Sequence, residues 1–315
     1  MKKNLEDQKG GTEARELKNK TWKTGEGTMK TFLKTLSLSL VLVMVMGVGT
    51  YSRAEEATAG QPAAQAEAAK PAGKVIPEDL FADLNVSFYS QYIWRGLELS
   101  RDSFVIFPTM TIGYKGFAAN LWADLDTNFG TGSEDRTFKL QETDLTLSYS
   151  NSYQPWKLNY SVGWILYDYQ PVSGNPDGTI KDTKNQEIYL TLGVDTLLKP
   201  TFTVYNEIEA GQAWYFLLGL AHSFAVYKDW SLDLAGSVSY LIDHSGDDFS
   251  NFHDGNISAG LKIPITGNIS ITPKLQYSFA LSGDAAQRIR NNSEGLFHHR
   301  QDNFVYGGII FDLAI

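Results

Sequence analysis

The stretch NFVYGGIIFDLAI, residues 303 to 315, separates into two sets when read at alternate positions. Val305, Gly307, Ile309, Phe311, Leu313 and Ile315 form an apolar set, while Tyr306, Gly308, Ile310, Asp312 and Ala314 form a mixed one. A period of two is that of a β-strand with unlike faces. In water such a strand would be a liability, because an apolar face beside a free edge invites aggregation. In a closed barrel set in lipid it is at home: the last strand pairs with the first, the apolar face meets acyl chains, and no edge remains.

The same alternation runs back to about residue 82 in twelve segments. The first, LNVSFYSQYIWR (84–95), puts Leu84, Val86, Phe88, Tyr92 and Trp94 on one face and Asn85, Ser87, Tyr89, Gln91 and Arg95 on the other. The others are FVIFPTMTIGY, FAANLWADLD, KLQETDLTLSYS, WKLNYSVGWILYD, EIYLTLGVD, TFTVYNEIEA, AWYFLLGLAHSF, WSLDLAGSVSYLI, NISAGLKIPI, ISITPKLQYSFAL and the stretch quoted first. Short connections at 115–116, 151–155, 196–200, 227–229 and 266–268 alternate with long ones at 96–103, 128–137, 169–186, 243–254 and 282–302; only 211–212 breaks the rule. Short turns on one side, long loops on the other and an even strand number are the marks of a membrane barrel. The predicted fold is all-β: a 12-stranded antiparallel transmembrane β-barrel over residues 81–315, with short periplasmic turns and long extracellular loops.

Composition agrees. A mean hydropathy of -0.24 excludes a helical membrane bundle but not a barrel, whose alternation averages apolar and polar positions. The absence of cysteine removes disulfides, thiolate metal sites and Cys nucleophiles. A soluble β-sandwich or lipocalin-like barrel also alternates. Against it stand aromatics at the strand ends, including Tyr114, Phe117, Trp156, Phe202 and Trp230 at the short-turn end and Tyr92, Trp94, Trp164 and Trp214 nearer the other. The opposite face carries many charges, which a dry sandwich core cannot hold.

The chain divides further upstream. MKTFLK from Met29, the apolar run LSLSLVLVMVMGVG (36–49) and small residues at Ser52 and Ala54 make a secretory signal over 29–54. Residues 1–28 read as an N-terminal extension from a start assigned too early. Residues 55–80, rich in Ala, Pro, Gln and Glu, read as a flexible periplasmic leader. Residues 1–54 hold 10 of the 27 Lys+Arg and 5 of the 36 Asp+Glu, so the exported part keeps 17 basic and 31 acidic residues, net about -14. A nucleic-acid partner is excluded by that balance.

Residues of about 82 to 225 resemble the Gcw_chp family of proteobacterial proteins. The resemblance rests on Tyr92, Arg95 and Gly96 in a Tyr-x-x-Arg-Gly pattern, a Gly-Phe turn at Gly116 and Phe117, and Glu142-x-Asp144. It implies an uncharacterised outer-membrane barrel and no particular substrate. The final strand also resembles the C-terminal signature of bacterial outer-membrane proteins, which implies the barrel-assembly machinery as a partner during insertion, although it ends on Ile315 rather than Phe.

Strand direction places Arg95, Asp124, Asp126, Glu142, Asp144, Glu187, Glu207 and Glu209 in the outer half of the lumen, and Lys157, Lys262 and Lys274 in the inner half. The expectation is a porin-like channel with an acidic outer vestibule that admits small cationic or polar solutes, in contact with outer-membrane lipid. The alternatives are a non-conducting barrel acting as scaffold or surface adhesin, and a lipid hydrolase. For the last, the strand histidine His222 points outward while Ser223 faces the other way, so no nucleophile pair is evident and no enzyme is predicted. The loop GDAAQRIRNNSEGLFHHRQDN is expected to fold inward, with Arg288, Arg290 and Arg300 narrowing the pore against the acidic wall. His298 and His299 there have no defined carboxylate partner; no metal or cofactor is predicted.

Overall fold

A computed structural model describes residues 79–129, 137–169, 184–209, 213–245 and 248–315. All of these belong to one compact unit, Gly49–Ile315. The extension at 1–28, the signal at 29–54 and the leader up to residue 78 lie outside the described residues.

Twelve long strands close into an antiparallel barrel: β1 (Leu80–Tyr89), β4 (Val105–Tyr114), β5 (Phe117–Phe129), β6 (Thr137–Tyr153), β7 (Leu158–Tyr169), β8 (Lys184–Val194), β9 (Thr201–Glu207), β10 (Trp214–Tyr227), β11 (Trp230–Asp243), β12 (Phe249–Pro264), β13 (Ile269–Ala280) and β14 (Asn303–Ala314). Among the described residues two further short strands, β2 (Ile93–Trp94) and β3 (Leu97–Glu98), form a separate hairpin, and one α-helix, α1, spans Gly283–Phe297. The seam is β1 on β14, in a register that sets Val86 opposite Phe311 and Phe88 opposite Ile309. Each strand of the ring is hydrogen-bonded to the one before and after it, so all twelve expected segments are strands.

The alternation sorts the side chains as the sequence implies. Met110, Leu121, Leu147, Leu218, Leu275 and Ile309 are exposed on the outside, each at more than 40%. So wide a belt of exposed large apolar side chains has no place in water and fits acyl chains. At the short-turn end the belt is rimmed by Tyr114, Phe117, Trp156 and Phe202, all exposed. The turns there place Lys115, Lys157, Lys199 and Lys228 at φ of 39° to 50°, the left-handed conformation that tight connections require.

Inside, the two halves of the barrel differ. Nearer the short turns the lumen wall is polar: Thr146, Ser148, Ser161, Ser231, Asp233, Ser258 and Lys262 are partly exposed, while Asp83, Asn85, Thr109, Thr111, Thr191 and Thr203 are buried. Nearer the long loops it is packed with large side chains: Tyr89, Tyr92, Phe107, Trp122, Tyr167, Tyr189, Tyr205, Tyr215, Phe304 and Tyr306 are all buried. A soluble protein has its core between layers; here the core is a plate across the tube.

That plate contains a correction to the sequence reading. Tyr92 and Trp94 continue the period of β1 and were expected to face lipid, yet β1 ends at Tyr89 and the chain turns inward. Leu99 donates its backbone N–H to the Tyr92 carbonyl (2.9 Å) and Tyr92 N–H donates to Ser100 Oγ (2.7 Å), folding the segment on itself. Trp94 pairs with Leu97, leaving Arg95 and Gly96 as the two tip residues, with φ of 47° and 77°. Positive φ at both positions is the two-residue type I′ hairpin.

Candidate functional site

The tip of the β2–β3 hairpin carries Arg95 across the lumen. The hairpin is rooted between β1 and β4, whereas Arg95 meets β8, β9 and β10; in the ring, β9 stands six places from β1, on the opposite wall. Its guanidinium makes a two-pronged pair with Glu187: Nη1 donates to Oε1 at 2.8 Å and Nη2 to Oε2 at 2.7 Å. The same group lies against three rings, 4.4 Å from Trp94, 4.7 Å from Tyr205 and 4.4 Å from Tyr215. A planar cation held by a matching carboxylate fork and by aromatic faces is the strongest arrangement available to arginine. Burial opposes the Arg95 charge, but Glu187 more than offsets it, so the pKa lies above the ordinary arginine value.

Further hydrogen bonds hold these groups in place. Tyr167 Oη donates to Glu187 Oε2 at 2.9 Å, and Tyr215 Oη donates to Asp254 Oδ1 at 2.9 Å, which also accepts from Ser239 Oγ at 2.6 Å. Gly96 is obligatory at the tip on two counts: its φ is positive, and a Cβ there would lie 2.8 Å from Asp254 Cβ and 3.1 Å from Ile289 Cδ1. The near end of the hairpin is anchored by Tyr92, whose ring packs 5.2 Å from Phe107 and 5.7 Å from Trp122. Tyr92 Oη donates to Glu142 Oε2 at 3.2 Å. Burial, and then the Glu142 charge, push the Tyr92 phenol well above its usual range and keep it a donor. Removing that hydroxyl in Tyr92→Phe strands a buried carboxylate oxygen, and the cost is expected at about 1–3 kcal/mol. Urea titration of the refolded barrel against wild type measures it; an unchanged midpoint would show that the bond anchors nothing.

The expected acidic residues are gathered, though not around an open mouth. Asp124, Asp126, Glu142, Asp144 and Glu187 sit beneath the hairpin, each between 2% and 5% exposed. Asp124 faces Glu142 across the β5–β6 ladder, and Glu187 faces Glu207 across β8–β9, with Glu207 half-buried. Glu209 stands apart, exposed beyond the end of β9, where it accepts from Gln186 Nε2 at 3.0 Å.

The three loop arginines do not meet this wall, which corrects the constriction expected of them. Residues 283–297 form α1, capped by Ser282 Oγ, which accepts from Ala285 N–H at 3.1 Å. The stripe Ala285, Ile289 and Ser293 is fully buried and directs the helix onto the hairpin, leaving the arginines on its flanks. Arg288 pairs with Asp243, Arg290 with Asp302, and Arg300 with Glu294, the last at 2.6 Å. α1 is therefore a roof over the hairpin, fastened at the rim. His299 Nε2 meets the buried Glu98 Oε2 of β3 at 2.6 Å, a further tie from roof to hairpin, while His298 caps the helix at φ 57°. Among the described residues no group of three or more His, Asp or Glu is placed to hold a metal ion. His222 Nδ1 lies 2.7 Å from the Leu197 carbonyl, and Ser223 Oγ donates to Asp233 Oδ1 at 2.5 Å, so their bonds run to different partners.

No protein-family model matches the sequence. No curated protein matches it either. Among solved structures the chain resembles the NanC porin at 8% identity, covering 74% of this chain and 98% of that one with a TM-score of 0.43. It also resembles the COG4313 outer membrane channel from Pseudomonas putida F1 (8% identity, 78% and 99% coverage, TM-score 0.44). LpxR from Salmonella typhimurium is similar to the same degree (9% identity, 73% and 99% coverage, TM-score 0.41). At these identities the likeness says nothing of what the chain does.

Proposed function

We propose that the chain is an outer-membrane, porin-like channel for small cationic or polar solutes, closed toward the long-loop side by the Arg95 hairpin and its helical roof. The observation that carries this reading is the crossing of the lumen by Arg95 to Glu187 above a polar inner half that solvent reaches in part. A barrel meant only as a scaffold has no use for a polar lower chamber. The carboxylates that solvent reaches, half-buried Glu207 and exposed Glu209 in the outer half and partly exposed Asp233 in the inner, favour cations, because negative charge raises their local concentration. Kinship with the Gcw_chp family belongs to the same proposal; Tyr92, Arg95, Gly96, Glu142 and Asp144, which carry that resemblance, are the residues that build the closure. So does export through a signal at 29–54 and insertion by the barrel-assembly machinery.

The test is the reversal potential of the refolded Arg95→Ala variant, in which the hairpin is released, in a planar bilayer under a KCl gradient. A potential of the sign for potassium over chloride is expected. Chloride preference would remove the cation assignment, and a barrel silent even after the hairpin is released would be a scaffold that presents its loops.

A further inference from the structure

Viewed from the wall, Arg95 is a bound ligand. The groups that receive its guanidinium belong mostly to the barrel: Glu187 on β8, Tyr205 on β9 and Tyr215 on β10, with Tyr167 on β7 orienting Glu187. Only Trp94 travels with the hairpin. Each wall group is held by partners other than Arg95: Tyr215 by Asp254, Glu187 by Tyr167, and the Tyr205 ring by those of Tyr189 at 5.7 Å and Tyr215 at 6.1 Å. The receptor therefore stays assembled when its occupant leaves.

We propose that this cage of Glu187, Tyr205 and Tyr215 is a binding site for guanidinium-bearing solutes, which Arg95 occupies in the closed barrel and which such a solute takes over when the hairpin swings away. The role of the cage rests on the channel reading, since a solute displacing Arg95 would open the path it then enters. The chemistry selects a guanidinium over an ammonium. Both oxygens of Glu187 are engaged by parallel N–H donors, which only a planar fork supplies, and the tyrosine faces at 4.7 Å and 4.4 Å accept a flat, weakly hydrated cation. An ammonium offers one compact, strongly hydrated charge and stacks on neither ring. Burial points the same way. With Arg95 withdrawn, the buried Glu187 carboxyl loses its only cationic partner among the described residues, and an entering guanidinium restores the pair.

Tethering sets what can be observed. An arginine on a short segment competes at an effective concentration on the order of millimolar or more, so the intact protein resists displacement. The full-length Arg95→Ala variant, refolded in detergent, removes the competitor. Titration with methylguanidinium chloride at constant ionic strength, followed by isothermal titration calorimetry, is expected to saturate. Methylammonium chloride is expected to bind on the order of tenfold more weakly or not at all. Adding Glu187→Gln to Arg95→Ala should abolish the saturable response. A response that does not saturate, that is equal for methylammonium, or that survives Glu187→Gln overturns the proposal. Should Arg95→Ala not refold, judged by the gel shift of unheated samples, Arg95→Gln retains a donor for Glu187 and is titrated against the same criteria. Saturable binding without current in any variant would sink the channel reading and leave the cage; current without binding would do the reverse.

Discussion

Arg95→Ala is expected to lower the stability of the barrel by about 3–5 kcal/mol, the cost of leaving a buried partner charge uncompensated. The side chain of Glu187 is 4% exposed in its pair with Arg95, too buried for water to take over the lost contacts. The substitution also strips three aromatic faces of their cation, so the hairpin loses its hold on the far wall at one stroke. Equilibrium unfolding in urea, monitored by tryptophan fluorescence, reads the change. Glu187→Gln is the complementary case: it leaves the buried Arg95 cation without its carboxylate and should cost a similar amount. A loss below about 1 kcal/mol for Arg95→Ala, the value of an exposed ion pair, would mean that the guanidinium is not buried in the cage.

Gly308→Val is expected to prevent the barrel from closing. A Cβ at Gly308 would lie 1.9 Å from the Phe88 backbone oxygen, across the ladder in which Tyr89 faces Gly308. Overpacking against side chains costs about 1–3 kcal/mol because they can shift, but here the obstacle is the backbone of the seam strand itself. On a denaturing gel without heating, the variant should run at the position of unfolded chain while wild type runs as the compact barrel. Gly267→Ala is the control: a Cβ there meets nothing within 4 Å, and its effect should stay within about 0.5 kcal/mol. A closed Gly308→Val barrel would show that β1 and β14 do not meet in the register that sets Val86 on Phe311.

The barrel was legible because lipid enforces the pattern. Every strand must show acyl chains an apolar side, so the period of two survives from Leu84 to Ile315 and the strands follow from it, with ends that differ by a few residues, as when β12 begins at Phe249 rather than at Asn256. The hairpin was hidden by the same rule. Tyr92 and Trp94 keep the period of β1, and alternation cannot tell an aromatic side chain in lipid from one in an aromatic plate inside the tube. The one local sign was Arg95-Gly96, a pair fit for a two-residue turn, flanked by residues that pair as Trp94 with Leu97. The helix was equally quiet. Its cap Ser282 and its buried Ala285 and Ile289 are spaced for a helix, but the polar residues around them read as loop. Gathering Asp124, Asp126, Glu142, Asp144 and Glu187 in one half of the lumen required only strand direction. Pairing Glu187 with Arg95, 92 residues away and on the opposite wall, required the fold.

That pairing also decides how the plug is read. A loop resting on the rim would leave a path around it, whereas a hairpin that reaches from β1 to β9 and is roofed by α1 divides the lumen in two. Single-channel conductance of wild type and Arg95→Ala, recorded in the same bilayer and salt, measures the division directly. Wild type should be closed or pass only brief, small currents, and Arg95→Ala should open to a sustained level several times larger. Equal conductance in the two proteins, whether both open or both silent, would contradict a lumen closed by Arg95.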